Sequence, residues 1–367
     1  MLIKELELVN YTNFSQQTVS FSPHLNIFYG ANAQGKSNLI DSIFFLGFAR
    51  SHRYPNDLAL IRWGEEYFRL KGQVQNCRGL ITIEHAVKKG RKSVKINGQA
   101  LTRIKDLLGQ FTTVIFTPDD LSLLKGGPEE RRRFLNRHLV QLSPIYYDYS
   151  LTYQRILQQR NALLKKGPVR AGEMEIWDEK LSRYGSLLIQ ARRQLLTKLA
   201  PLVSEVHGRL SGGQEKLVLS YEPSVAAGET LAEIQAGLRA SLTQRLHQDS
   251  KNGYTSVGPH RDDFTCRING RDARIYASQG QQRTAVLTLK LAMVQLMADL
   301  TGEYPVLLLD DVFSELDPRR REYLLHTVAQ RVQTVITTTE ITALTAPEME
   351  GAMVFHVSQG KIGQGWH

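Results

Sequence analysis

The residues best suited to chemistry are Gly30-Ala31-Asn32-Ala33-Gln34-Gly35-Lys36-Ser37, which spell G-x4-G-K-[ST]. At this spacing backbone amides wrap a polyphosphate, and a helix beginning at the lysine adds the favourable end of its dipole. Lys36 is expected to reach the outer phosphates and Ser37 to ligate Mg2+, with Asn38 opening the helix beside them. The chemistry implied is binding of ATP with magnesium.

Such a loop supplies half of a site. The other half should be a buried strand ending in carboxylates, and Val306-Leu307-Leu308-Leu309-Asp310-Asp311 has that form. Asp310 is expected as a magnesium ligand, and Asp311, at the attacking water, as a catalytic residue together with Lys36. Ser314-Glu315-Leu316-Asp317 lies where ATPases of the ABC type place a loop that crosses to a second subunit, with Ser314 and Asp317 as its polar residues. In that class each ATP is sandwiched between one protomer's phosphate loop and the other's signature motif.

Two segments compete for the signature. Leu210-Ser211-Gly212-Gly213-Gln214 spells the transporter version, but it runs into the strand-like Leu217-Val218-Leu219. A signature must open a helix that leads into the carboxylate strand, and Ser278-Gln279-Gly280-Gln281-Gln282 does so. Ser278 and Gly280, with Gln281 and Gln282, are therefore expected to face the γ-phosphate in trans, leaving 210–214 as a decoy loop.

The elements that must hold these groups are legible in outline. Leu2 to Val9 and Leu25 to Tyr29 read as strands, the second stopping at Gly30, and Asn38 to Phe48 has helical apolar spacing. Phe68 to Phe116 is mainly β, with Leu80–Val87 and Ser93–Ile96 flanking a basic turn. After Pro118 the pattern turns helical. Two apolar stripes, from Tyr146 to Leu164 and from Leu181 to Leu202, are separated by Lys165-Lys166-Gly167-Pro168 and predict a short antiparallel hairpin, kinked at Pro201. Tyr221 to Gly228 reads as a loop, and α/β character resumes near Tyr254. The expected fold is α/β: a P-loop ATPase head of mixed sheets, residues 1–117 and 254–367, split by a helical lid or arm, 118–253.

At 367 residues and 42% hydrophobic composition the chain can build two packed cores. Its formal charge of +10 suits a polyanion such as nucleic acid. Cys77 and Cys266 have neither disulfide-framework nor zinc spacing, and no apolar run predicts a membrane span, so a cytoplasmic location is expected. Lys88, Lys89, Arg91 and Lys92 on the basic turn, with Arg131 and Arg132, are the candidate DNA contacts, against the plainer reading of a solvated charged face.

The sensor positions are less conventional. Many ABC ATPases place a histidine after the strand Val332 to Ile336, where this chain has Thr337, Thr338 and Thr339; Thr338 is the assigned γ-phosphate sensor. No glutamine follows Val114–Phe116, so Asp119 or Asp120 either replaces it or caps the next helix. His260 and Arg261 could report on nucleotide or DNA, against the commoner case of a buried, hydrogen-bonded loop histidine.

Together these motifs, with Thr117-Pro118-Asp119-Asp120-Leu121, Arg131-Arg132-Arg133-Phe134-Leu135 and Gly258-Pro259-His260-Arg261-Asp262-Asp263, resemble the RecF family, related to Rad50 and the SMC proteins. The resemblance implies a weak DNA-stimulated ATPase used as a switch. It implies an ATP-dependent homodimer that closes on single-stranded or duplex DNA at gaps or junctions and acts with RecR to promote RecA loading. Roles in replication restart and SOS induction follow from the same resemblance. The competing classes are the ATPase subunit of a membrane transporter and a structural SMC-like DNA bridge.

Overall fold

The computed structural model describes residues 1–167, 171–225, 228–313, 316–328, 331–339 and 351–365. The chain opens with β1 (Leu2–Tyr11), β2 (Phe14–Ser20), β3 (Leu25–Tyr29), α1 (Lys36–Phe48), β4 (Tyr67–Asn76), β5 (Gly79–Lys88), β6 (Arg91–Ile96), β7 (Gln99–Ala100) and β8 (Thr113–Phe116). A helical stretch follows: α2 (Ser122–Lys125), α3 (Pro128–Leu142), α4 (Pro144–Leu164), α5 (Ala171–Leu210), β9 (Leu217–Glu222), α6 (Leu231–Asn252), β10 (Asp263–Ile268), β11 (Arg271–Asp272) and α7 (Ala273–Tyr276). It ends with α8 (Gln279–Thr301), β12 (Val306–Asp310), α9 (Pro318–Val328), β13 (Thr334–Thr338), β14 (Met353–Ser358) and β15 (Lys361–Gln364).

These elements form two compact units, Met1–Asp120 with Arg283–His367, and Leu121–Gln282. In the first, an antiparallel sheet has the order β2-β1-β4-β5-β6-β7, and a mixed sheet has the order β15-β14-β3-β13-β12-β8. β4 alternates buried and less buried residues, pointing Phe68, Leu70 and Val74 inward, as a sheet with one covered face requires. β12 is buried at every position because parallel β8 and β13 flank it and both its faces are covered. α1 is apolar nearly all round, with Leu39, Ile40, Ile43, Phe45 and Leu46 fully buried. A helix of that kind needs cover on every side, and α1 contacts β12 and β13 of one sheet and β4 and β5 of the other.

The second unit packs α3, α4, α5 and α6 with the small sheet β11-β10-β9. α3 starts at Pro128 with Glu129 and Glu130 in its first turn, where a fixed φ and negative charge both suit a helix N-terminus. The helical hairpin is α4 against α5, and Pro201 lies within α5, which runs unbroken for 40 residues. Arg160 of α4 is fully buried and donates to Asp178 of α5 at 2.7 Å, to Asp249 of α6 at 3.0 Å and to Thr255 at 2.8 Å. One guanidinium thus pins three helices, and removing either carboxylate would strand a buried charge. α6, opened by a capping box between Thr230 and Glu233, lies in a segment for which the sequence predicted no element.

The later boundary of the helical unit differs from the expected residue 254. β10 pairs antiparallel with β9 from Asp263↔Glu222 to Ile268↔Leu217, which carries residues up to Gln282 into the second unit. Among the described residues one helix, α8, is long and apolar enough to cross a bilayer, but 72% of its most apolar window is buried in the protein. It is a core helix.

Candidate nucleotide-binding site

β3 runs parallel beside β13, and β13 beside β12, so the phosphate loop and the carboxylates emerge at the C-terminal ends of these central strands. Lys36, 6% exposed, donates from Nζ to the carbonyls of Gly30 at 2.7 Å and Ala31 at 2.9 Å. Burial lowers its pKa, opposed by the charges of Asp311 and Asp310. Ser37 donates from Oγ to Asp310 Oδ1 at 2.9 Å, joining groups 273 residues apart. Asp310 also accepts from the Thr337 hydroxyl at 2.7 Å. Asp311, next along, has φ of 52°, a left-handed conformation fixed by its backbone N–H donating to Thr337 O at 3.1 Å.

The loop itself is held by segments that no motif announces. Asn13, in the β1–β2 turn, donates to Gln34 O at 2.8 Å and accepts from Asn38 Nδ2 at 2.9 Å. Gly360 N donates to Gln34 O at 3.1 Å, and Gln359 N donates to Gln34 Oε1 at 2.6 Å. Gly35 is required here: its φ is 117°, and a Cβ would fall 2.4 Å from Asn13 Nδ2. Behind the loop, Asp41 of α1 is buried and accepts from Tyr11, Ser51 and His52. Burial alone would raise its pKa, but the His52 and Ser51 hydrogen bonds outweigh this and hold it low.

Thr338, the assigned sensor, is buried in β13, and its carbonyl accepts from Gly30 N at 3.3 Å. The hydroxyl drawn against the Asp310 carboxylate is that of Thr337. Asp120 caps Thr117 N at 2.7 Å and pairs with the buried Lys290 at 2.7 Å, which is a structural use. Ser314 lies outside the described residues. Asp317 accepts from Arg320 N at 2.9 Å and so caps α9.

In the second unit Ser278 begins α8 in a reciprocal cap. Its N–H donates to Gln281 Oε1 at 2.8 Å, and its Oγ accepts from Gln281 N at 3.3 Å. Gln281 Nε2 donates to Glu215 Oε1 at 2.8 Å, and Glu215 Oε2 bonds the buried His207 at 3.2 Å. Gln282 donates to Ala273 O at 3.2 Å, while Gly280 lies in the first turn of α8. By contrast, 211–214 closes the C-terminal end of α5, with Gly213 N donating to Gly208 O at 2.7 Å. A helix C-terminus presents carbonyls, the wrong sign for a phosphate.

The candidate DNA contacts divide sharply. Lys88, Lys89 and Arg91 are exposed, with Lys88 in a surface pair with Glu66 at 2.8 Å. Lys92 reaches Ala49 O and Asp57 and lies over the Phe45 ring. Arg131 is buried and bonded through all three nitrogens to Asp263, Leu123 O and Gly126 O, while Arg132 donates to Asp262 O at 2.8 Å. Arg131 therefore serves the interior of the helical unit. His260 is likewise internal: it accepts from the Tyr153 hydroxyl at 2.7 Å and donates to Thr255 O at 3.0 Å.

Comparison with known proteins bears on this arrangement. The profile described as RecF/RecN/SMC N terminal domain matches residues 2–362. The DNA replication and repair protein RecF of Lysinibacillus sphaericus is 40% identical over 368 residues, covering 99% of both chains. A solved recombination mediator protein, RecF-ATP of the RecFOR pathway, superposes with a TM-score of 0.91 at 38% identity, covering 99% of this chain and 97% of the other. An SMC head bound to the C-winged helix domain of ScpA shares the fold, with a TM-score of 0.59 at 18% identity, over 99% of this chain and 97% of that one. An ABC-type ATPase head of mixed sheets interrupted by a helical insertion, matched over nearly its full length by these proteins, places the chain in the RecF family of DNA replication and repair proteins.

Proposed function

We propose that two copies of this chain close on ATP and hold DNA while closed, as a switch in recombinational repair. The Ser37–Asp310 hydrogen bond at 2.9 Å is the observation that supports this most, because it unites the phosphate loop with the carboxylate strand. A hydroxyl and a carboxylate side by side are oxygen donors of the kind Mg2+ takes, with phosphate oxygens completing the shell, so the residues fit that ion. When bound, magnesium neutralises phosphate charge.

The protein's own groups do the rest. Lys36 exchanges the Gly30 and Ala31 carbonyls for phosphate oxygens. Asp311 orients the attacking water and takes its proton, and a carboxylate one methylene shorter than Glu suits slow turnover. The N-terminus of α8, with Ser278 and Gly280, meets the γ-phosphate on the opposite copy, and Thr338 serves as the γ-phosphate sensor from the C-terminal end of β13. Hydrolysis removes that phosphate and opens the dimer. The RecFOR pathway named for the solved relative supports RecR as a partner. RecA loading in the cytoplasm, replication restart and SOS induction belong to the same proposal.

Sedimentation with and without ATP tests the gate. Ser278→Arg is expected to abolish ATP-induced dimers while nucleotide still binds, and Ser211→Arg to dimerise as the native chain does. The reverse pattern would return the signature to 210–214 and favour a transporter-type ATPase.

A further inference from the structure

Trp63 is 98% exposed, although indole is among the side chains most often drawn out of water. It sits at the second position of a tight turn, Arg62 to Glu65, closed by Glu65 N donating to Arg62 O at 3.0 Å. Gly64 follows it with φ of 87°, the left-handed conformation a type II turn needs at that corner. The turn is tied down on both sides. Arg62 N donates to Asn10 O at 2.9 Å, Asn10 Nδ2 donates to Glu65 Oε2 at 3.1 Å, and Ile61 forms a β-bridge with Tyr11. A tethered turn that presents an indole to solvent has already met the backbone part of the entropic cost of ordering a binding residue.

The surroundings indicate the occupant. Tyr67, 44% exposed, opens β4 and stands in register opposite Lys88, and Lys88 opposite Arg91. Glu66 is paired to Lys88, so the aromatic turn and the basic turn share one end of the antiparallel sheet. Lys89 and Arg91 are exposed there. An aromatic face beside cations matches a ligand with flat apolar rings on a polyanionic backbone. Within a duplex those rings are covered by their stacked neighbours; in a single strand they are available.

We propose that the Trp63 turn, with Tyr67, stacks unpaired nucleobases of single-stranded DNA while Lys89 and Arg91 meet its phosphates. The proposal rests on the reading of the chain as a DNA-binding ATPase and names the part of the DNA that this surface recognises. No property of the phosphate loop enters it.

Anisotropy titrations of the full-length protein with ATP, using labelled oligothymidylate and a blunt duplex, decide the matter. Trp63→Ala is expected to bind oligothymidylate about tenfold more weakly, with Trp63→Phe close to native and duplex binding unchanged. Native affinity of Trp63→Ala for oligothymidylate would overturn the stacking while leaving the ATP-gated switch intact. Equal losses on oligothymidylate and duplex would overturn the preference for unpaired bases. If Trp63→Ala instead weakens ATP-induced dimers in sedimentation without DNA, the surface belongs to a second copy of the chain and the proposal fails. Absence of any nucleic-acid binding by the native protein would remove the proposed function itself.

Discussion

In the proposed cycle Asp311 separates holding a nucleotide from turning it over, and Thr337 positions it. Thr337 engages Asp310, and its backbone fixes Asp311 in a left-handed conformation that only a few residue types accept without cost. Asp311→Asn keeps the size of the group but removes the base. Hydrolysis is expected to fall by about a hundredfold or more, while ATP-induced dimers persist and gel-shift experiments show longer DNA retention. Unchanged retention would separate hydrolysis from release. At this scale the spacing pointed to Gly35, Lys36, Ser37 and Asp310, and the structure brings Ser37 and Asp310 within hydrogen-bond distance. It was silent at Asn13, whose contact with Gln34 depends on a hairpin folding back over the loop, and no local pattern records that approach.

Among elements, the start of α8 depends on a neighbour it does not touch in sequence. Glu215 holds Gln281, which in turn caps Ser278, and His207 at the end of α5 holds Glu215. Glu215→Ala deletes a charged acceptor worth about 1.5–3 kcal/mol, and ATP-dependent dimerisation is expected to weaken roughly tenfold. Glu215→Gln, which keeps an acceptor, should recover most of it, and ATP binding should be native in both; loss of ATP binding would point to general unfolding instead. The buried run of β12 and the helical hairpin were legible because their periodicities are strong. The boundary of the helical unit was not, since it is set by β10 pairing with β9 across an intervening helix. Pro201 lies inside α5, which continues through it to Leu210 instead of ending there.

For the molecule as a whole, each compact unit carries a buried neutral histidine. His85 donates to Leu46 O at 2.9 Å, and burial pushes its pKa down to about 4. His260 is pushed to about 4 by burial first and then by Arg261, Arg132 and Arg192. The unfolded chain protonates these rings as pH falls below about 6.5, while the folded chain does not until near 4. Stability therefore drops across that window, by roughly 2 kcal/mol per histidine at pH 5. Melting temperatures should fall between pH 7 and pH 5, and His260→Gln should flatten part of that slope; an equal slope in the variant would show that His260 is not a source of it.

The tethering of Gln34 by Asn13, Gln359 and Gly360 has a kinetic consequence. A phosphate loop already locked from two remote turns has little left to organise when nucleotide arrives, so capture should proceed at a rate set by diffusion and charge. In the proposed cycle the slow, timed part then falls on the meeting and parting of two protein copies. The lifetime of the closed state becomes a property of the pair, adjustable at Ser278 or Asp311 without altering how fast either copy finds ATP.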